Sequence, residues 1–305
     1  MNISNSTVKE IAARLGFSLV GFSKCGQLGN EIDHLKTWLS KNYHANMNYM
    51  ADNLEKKSDP GLILENAESI ISLGYNYYND ESHDVLEGHG KVSRYAWSKD
   101  YHIILWEKLS ELIDELQSVD SEFNAKAYVD TGPVMDKVWA VKSGLGWMGK
   151  HTNVISREIG SWFFISTVIT NFIFDYSKID TDHCGSCTAC IEACPTDTII
   201  YEYVLDSTKC ISYLTIENKG EIPAEFNKHF DDWIFGCDIC QNVCPWNKKF
   251  SVLTSDHDFL HPVNKQLNFS EIDVMTNSQF KKKFSTSPIS RARLKGLKRN
   301  AEFIK

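Results

Sequence analysis

Eight of the nine cysteines in this 305-residue chain are spaced as metal ligands. Cys184-Gly-Ser-Cys187-Thr-Ala-Cys190 sets three thiols at two-residue gaps, and Cys194-Pro195 follows three residues on. So tight a run lets one loop wrap three corners of an iron–sulfur cubane, while the following helix carries the fourth thiolate to a second cluster. A partner run exists: Cys210, then Cys237-Asp-Ile-Cys240-Gln-Asn-Val-Cys244-Pro245. Exchange of the fourth ligands assigns Cys184, Cys187, Cys190 and Cys244 to one [4Fe–4S] cluster. Cys210, Cys237, Cys240 and Cys194 then hold the other. Structural zinc is the competing use of eight thiolates, but zinc takes its cysteines in separated pairs. The spacing implies electron transfer and leaves the acceptor unnamed. Cys25 is left over and reads as an ordinary buried thiol.

A second constellation lies upstream. Tyr128-Val-Asp130-Thr-Gly-Pro133 leads through a helix opened by Pro133 to Gly144-Leu-Gly146-Trp-Met-Gly149-Lys150. A carboxylate at a strand end can be partly desolvated, which raises its pKa and lets it hold a proton for delivery. Asp is equally a favoured helix cap, so both roles stay open for Asp130. The three glycines allow close backbone approach to a ligand. A helix precedes them, so they do not make a dinucleotide fingerprint. Ser93-Arg-Tyr-Ala-Trp-Ser-Lys-Asp100-Tyr-His102 gathers aromatics, a cation and an acid where a helix begins, with Asp100 as a candidate cap. Asp100-x-His102-x-x-Leu105 approaches the Asp-x-His-x-x-Gly signature of cobalt-ligating histidines. Its glycine is missing, so His102 is not assigned as a cobalt ligand.

These residues need a scaffold of about two domains, which the length allows. Periodicity predicts helices at Thr7–Leu15 (capped by Ser6 or Thr7), Asn30–Tyr43, Asp100–Leu116 and Pro133–Ser143. Strands are predicted at Ser18–Phe22, Ser69–Tyr77, Ala125–Val129, Asn153–Ser156 and Trp162–Thr170, with a loop at His83–Gly90. The expected fold class is α/β (α+β), with a ferredoxin-like two-[4Fe–4S] module and a polar, helix-prone C-terminal region. The boundaries fall at 1–174, 175–250 and 251–305. The run from Gly160 to Phe174 is the most apolar, but it is polar-interrupted and shorter than the roughly 20 residues of a membrane span. No export signal is visible, so a soluble cytoplasmic protein without a membrane partner is expected. The formal charge is −8. It is uneven: residues 281–305 hold nine Lys or Arg against one acid, on an otherwise acidic body. Such a tail either binds phosphates or is merely solvated.

Taken together, Val129-Asp-Thr-Gly-Pro133, Gly144-Leu-Gly-Trp-Met-Gly-Lys150, Arg94-Tyr-Ala-Trp97 with Asp100-Tyr-His102, and both cysteine runs resemble the epoxyqueuosine reductases. Arg291-Ala-Arg293 and Gly296-Leu-Lys-Arg299-Asn-Ala301 resemble that family's closing segment, so the likeness runs from about residue 5 to 301. It implies reduction of epoxyqueuosine to queuosine at the tRNA wobble position, by cobalamin reduced through the two clusters. It also implies a cobalamin-binding reductase domain similar in its core to reductive dehalogenases. An external low-potential electron donor is needed. By motif, Asp130 would be the proton donor, and Asn53, Ser93 and Ser212 would lie near cobalamin. Lys137 stands where arginine is expected, and His151 where asparagine is usual. The chain stops without the helical-repeat extension of longer members, leaving tRNA contact to the core and the basic tail. The alternatives are a corrinoid reductase of small organic substrates and a simple electron carrier. About 180 residues ahead of the first cluster exceed what a carrier needs.

Overall fold

The computed structural model describes residues 3–305. Seven strands order the molecule: β1 (Leu19–Lys24), β2 (Ser69–Asn76), β3 (His89–Val92), β4 (Ala125–Tyr128), β5 (Phe163–Thr170), β6 (Trp233–Phe235) and β7 (Gln266–Asn268). The larger sheet runs β1-β2-β5-β4 and is antiparallel throughout, with Leu19 opposite Gly74, Ser69 opposite Thr170, and Ala125 opposite Thr170. An antiparallel sheet with flanking helices is the α+β form of the expected class.

Five helices are used below: α1 (Asn5–Arg14), α2 (Asn30–Ser40), α3 (Tyr101–Val119), α4 (Asp136–Lys142) and α5 (Arg293–Ile304). On one face of the sheet, Ile71, Leu73, Tyr75, Phe164 and Val168 meet α1 and α3 through Val8, Ile11, Leu105, Leu109 and Leu112. On the other, Ile70 and Ile169 meet Trp139 of α4. Both faces are covered, so every residue of β2 is buried, the polar Ser69, Ser72 and Asn76 included. Each fully buried leucine or isoleucine of α3 contributes about 2 kcal/mol through removal of apolar surface from water.

The smaller sheet, β6-β3-β7, draws one strand from each of the three stretches of chain expected as separate segments. Val92, Ile234, Phe235 and Leu267 of this sheet pack against Phe284, Leu294, Leu297 and Ala301 of the C-terminal helices. The tail is therefore folded onto the body. Among the described residues, no helix is long and apolar enough to cross a membrane, and the apolar run at 160–174 supplies β5.

Several local expectations are corrected. Ser4, rather than Ser6 or Thr7, caps α1 by accepting from the Thr7 amide. Helix α2 ends at Ser40, short of Tyr43. The His83–Gly90 loop contains the start of β3. Pro133 does not open its helix: α4 begins at Asp136, because the chain first turns through Asp130 at φ 58°.

Candidate active site

Four thiols, Cys184, Cys187, Cys190 and Cys244, border one cavity together with Lys150, His151, His183 and Trp246. Lys150 is buried and clamps the loop. Its ammonium donates to the Gly185 carbonyl at 2.7 Å and pairs with Glu202 at 2.6 Å. Asp182 accepts from the Cys184 amide at 2.7 Å, and Trp246 donates to the His183 carbonyl at 3.2 Å. The second set closes behind it: Cys240 lies within electrostatic reach of Cys210 and Cys194, and Cys237 within reach of Cys240 and Cys210. The Thr198 amide donates to the Cys194 sulfur at 3.4 Å. Cys244 thus shares a neighbourhood with Cys184, Cys187 and Cys190, and Cys194 one with Cys240 and Cys210. Cys240 also feels Cys190, which puts the two sets side by side.

Burial pushes the Cys184, Cys190, Cys210, Cys237 and Cys240 thiols up, Cys190 to about 11 and Cys237 well above its ordinary value. A metal entering either site must therefore displace protons. Among the described residues, no three His, Cys, Asp or Glu converge on a single-ion position. Cys25 lies apart in a core cluster, its thiol pushed to about 11 by burial, as an inert thiol should be.

The inner thiols face the neighbourhood of Asp130. Asp130 is exposed and held in the left-handed region, a conformation that costs a non-glycine residue on the order of 1 kcal/mol. It does not cap α4, whose cap position is Met135. Its Oδ2 instead accepts from the Tyr101 hydroxyl at 2.9 Å. The Tyr101 ring is stacked at 4.2 Å on Phe164 of β5, so helix start and sheet together aim the hydroxyl. Enclosure, with Asp130 beside it, raises the Tyr101 pKa and leaves the phenol a firm donor. The desolvation expected around Asp130 is not made by the protein's own walls, which leave it open.

Asp136 and Lys137 show the shape of this space. Burial lifts the Asp136 carboxyl to about 7, although Thr167 donates to it at 2.5 Å. Enclosure lowers the Lys137 pKa while Asp130, Cys240 and Cys210 pull it back up. Yet Lys137 is open to solvent. Asp130, Asp136 and Lys137 thus share one water-accessible neighbourhood, the recess of the site. The Lys137 ammonium donates to the Thr152 carbonyl at 3.0 Å and to Asn153 Oδ1 at 2.9 Å, fixing it between Asp130 and the inner thiols. Arg291, counted in the sequence as tail charge, is paired with Glu217 and lies within reach of Tyr49 and Asp130.

The other predicted residues are spread around this recess. Ser93 is buried and donates to Asp238, whose second oxygen accepts from the Arg94 amide at 2.7 Å. Ser212 hydrogen-bonds at Cys210, where it favours the thiolate. Asn53 is exposed at φ 55°, and its side chain has no hydrogen-bond partner among the described residues. Asp100 does cap α3, accepting from His102 N at 3.0 Å and His102 Nδ1 at 2.8 Å. Gly144, Gly146 and Gly149 approach the chain itself: a Cβ there would strike Lys178 O, Ile155 O and the Ile155 side chain. The close approach expected for a ligand is thus made to protein. Sequence reasoning missed Asp136, Asp238 and Glu217 as parts of the site. Asp238 carried a signal, being flanked by Cys237 and Cys240; the other two look like surface acids.

Residues 183–247 match a family described as a 4Fe-4S double cluster binding domain. Residues 57–131 match one described as epoxyqueuosine reductase QueG, DUF1730. An epoxyqueuosine reductase of Cellulophaga algicola is 46% identical over 299 residues, covering 98% of this chain and 97% of that one. Another, from Pseudomonas aeruginosa, is 37% identical, covering 94% and 80%. A crystal structure of epoxyqueuosine reductase with a tRNA-Tyr epoxyqueuosine-modified stem loop superposes with a TM-score of 0.91 at 31% identity, covering 98% and 80%.

Proposed function

The chain belongs to the epoxyqueuosine reductase family, and from that premise we propose that it reduces epoxyqueuosine to queuosine in tRNA. The observation that carries this is the adjacency of two four-thiol sets to a recess that presents Asp130 beside Tyr101 and Lys137. Removal of an epoxide oxygen as water takes two electrons and two protons, and these two neighbourhoods are suited to supply one each.

Cys184, Cys187, Cys190 and Cys244 would hold the outer [4Fe–4S] cluster, and Cys194, Cys210, Cys237 and Cys240 the inner one. Cys187 is exposed, which favours the outer site as the point of contact with an external low-potential donor. The recess mixes donors, Lys137 and Arg291, with acceptors, Asp130 and Glu217. That mixture suits cobalamin, a large cofactor with a polar amide rim. Bound there, cobalamin supplies low-potential two-electron chemistry at the substrate carbon. Asn53, Ser93, Asp130 and Ser212 are proposed contacts around it. Ser93 offers only oxygen lone pairs, since its proton is committed to Asp238.

Asp130 delivers the proton to the departing oxygen. Its exposure in the free protein becomes useful once cofactor and base close over it, because desolvation then favours the protonated carboxyl. Tyr101 keeps Oδ2 occupied, which turns Oδ1 towards the substrate. The substrate tRNA rests on the rim of the recess. There Lys219 lies within electrostatic reach of Arg291, Arg293 and Arg299. Lys283 and Lys305, by contrast, are paired with Glu271 and Asp273. Residues 1–174 act as the cobalamin-binding reductase domain, 175–250 as the cluster module and 251–305 as the basic rim. A reducing cytoplasm suits eight thiolates kept for metal.

The test is conversion of an epoxyqueuosine-bearing RNA stem loop by the anaerobically reconstituted, reduced protein, read by mass as loss of one oxygen. Conversion should require added cobalamin. Turnover without it, or none with it, overturns the proposal.

A further inference from the structure

His151 is 3% exposed and borders the cavity of the outer thiols. Its ring is fixed from two sides. The Asn153 amide donates to Nδ1 at 3.2 Å, so Nδ1 is the acceptor and the neutral ring carries its proton on Nε2. Gly149 makes room for the ring: a Cβ there would lie 2.9 Å from His151 Cε1. The Nε2 atom is buried and has no hydrogen-bond partner in the protein. A buried, unpaired N–H is costly, so a donor held this firmly implies an acceptor that arrives with the holoprotein.

We propose that His151 Nε2–H donates a hydrogen bond to the outer iron–sulfur cluster and thereby raises that cluster's reduction potential above what its four thiolates alone would set. The inference rests on the ligand assignment proposed above. The physical reason is charge. One-electron reduction adds negative charge that spreads onto the cluster sulfurs, so a fixed N–H donor stabilises the reduced form more than the oxidised one. The histidine acts as a tuning residue. It ligates nothing and passes no proton to the substrate, and it eases the demand placed on the external donor.

The experiment uses the full chain with 15N-labelled histidine, reconstituted anaerobically and reduced with dithionite. Iron and sulfide are measured first, with about eight of each expected per chain. Pulsed EPR of the wild-type protein should show a weak histidine 15N coupling and an exchangeable proton. His183 also lines the cavity, but its Nε2 already contacts Asp180 at 3.1 Å, and the coupling should vanish in His151→Phe. In a mediated redox titration, His151→Phe should lower one midpoint and leave the other in place. His151→Asn, which keeps an N–H donor, should fall between. Clusters absent from the wild type overturn the ligand assignment and this inference together. Clusters present without histidine coupling, or with both midpoints unmoved in His151→Phe, overturn this inference alone. The wild-type spectrum decides the matter even where a variant loads poorly.

Discussion

The outer thiols take three of their four members from seven consecutive residues, Cys184 to Cys190, whereas the groups around Asp130 come from five distant stretches: Tyr49, Tyr95 with Tyr101, Asp130 to Lys137, Glu217 and Arg291. One region is built by local spacing, the other by the fold. Their chemistry differs in the same sense. On the proposed reading the thiol sets would hold charge that moves as electrons, and the loop geometry needed for that is short-range. The recess would handle a proton, which demands an acid, a partner to aim it and a neighbour to set its charge state. A change in a thiol loop should therefore fail outright, and a change in the recess should fail by degrees.

The largest effect is expected from Cys194→Ser. It should remove about half of the iron, from the cluster shared with Cys210, Cys237 and Cys240 rather than from the one nearest in sequence, and abolish turnover. Loss of the outer cluster instead, seen by EPR after reconstitution, would break the division into two sets.

Asp130→Asn comes next. It keeps size and the Tyr101 contact but has no acidic proton, so single-turnover reduction of the RNA should slow by about 10²- to 10⁴-fold. Cluster content and RNA binding should stay unchanged. Near-normal rates would move the proton source elsewhere in the recess. Tyr101→Phe sharpens the picture: the ring still stacks on Phe164 while Asp130 loses its donor. Loss of one hydrogen bond of about 1–1.5 kcal/mol predicts roughly a tenfold fall in rate. A rate equal to that of the wild type would make Tyr101 a packing residue only.

The smallest effect is on stability. Asp136 holds its proton to about pH 7 in the folded protein, against 3.8 ordinarily, so the folded state binds more protons between those values. Stability should then fall as pH rises from about 4 to 7 and level off above, by something on the order of 2 kcal/mol. Asp136→Asn should flatten that slope. Parallel urea midpoints for both proteins across the window would show that Asp136 is ionised throughout.

How much of this could be read from the chain follows from the same contrast. The cysteine sets were legible because ligand spacing within a loop survives without the fold. Asp130 was legible as a candidate, but its role as cap or donor was not. Its left-handed turn, which delays α4 to Asp136, depends on packing that no periodicity records. Asp136 itself looks like an ordinary first-turn acid, and only the fold brings Thr167 of β5 against it. The basic tail was visible as charge. That Arg291 would turn back onto Glu217 at the recess, with α5 seated on the smaller sheet, lies in contacts more than 70 residues apart.

The smaller sheet also sets an order of events during synthesis. Its middle strand β3 pairs Gly90 with Leu267 and Lys91 with Trp233. At translation rates of about 5–20 residues per second, the last partner follows β3 by something like 10–35 s. Through most of that interval the nascent chain exposes an unpaired strand beside Ser93, until β6 and Asp238 emerge to pair it and hold the hydroxyl. Cys194 and Cys210 emerge well before Cys237 and Cys240, so the inner thiols stand as an open half-ring on the ribosome. Iron delivered too early finds two ligands there rather than four. The strand pairing that completes the fold also brings in the stretch carrying the other two.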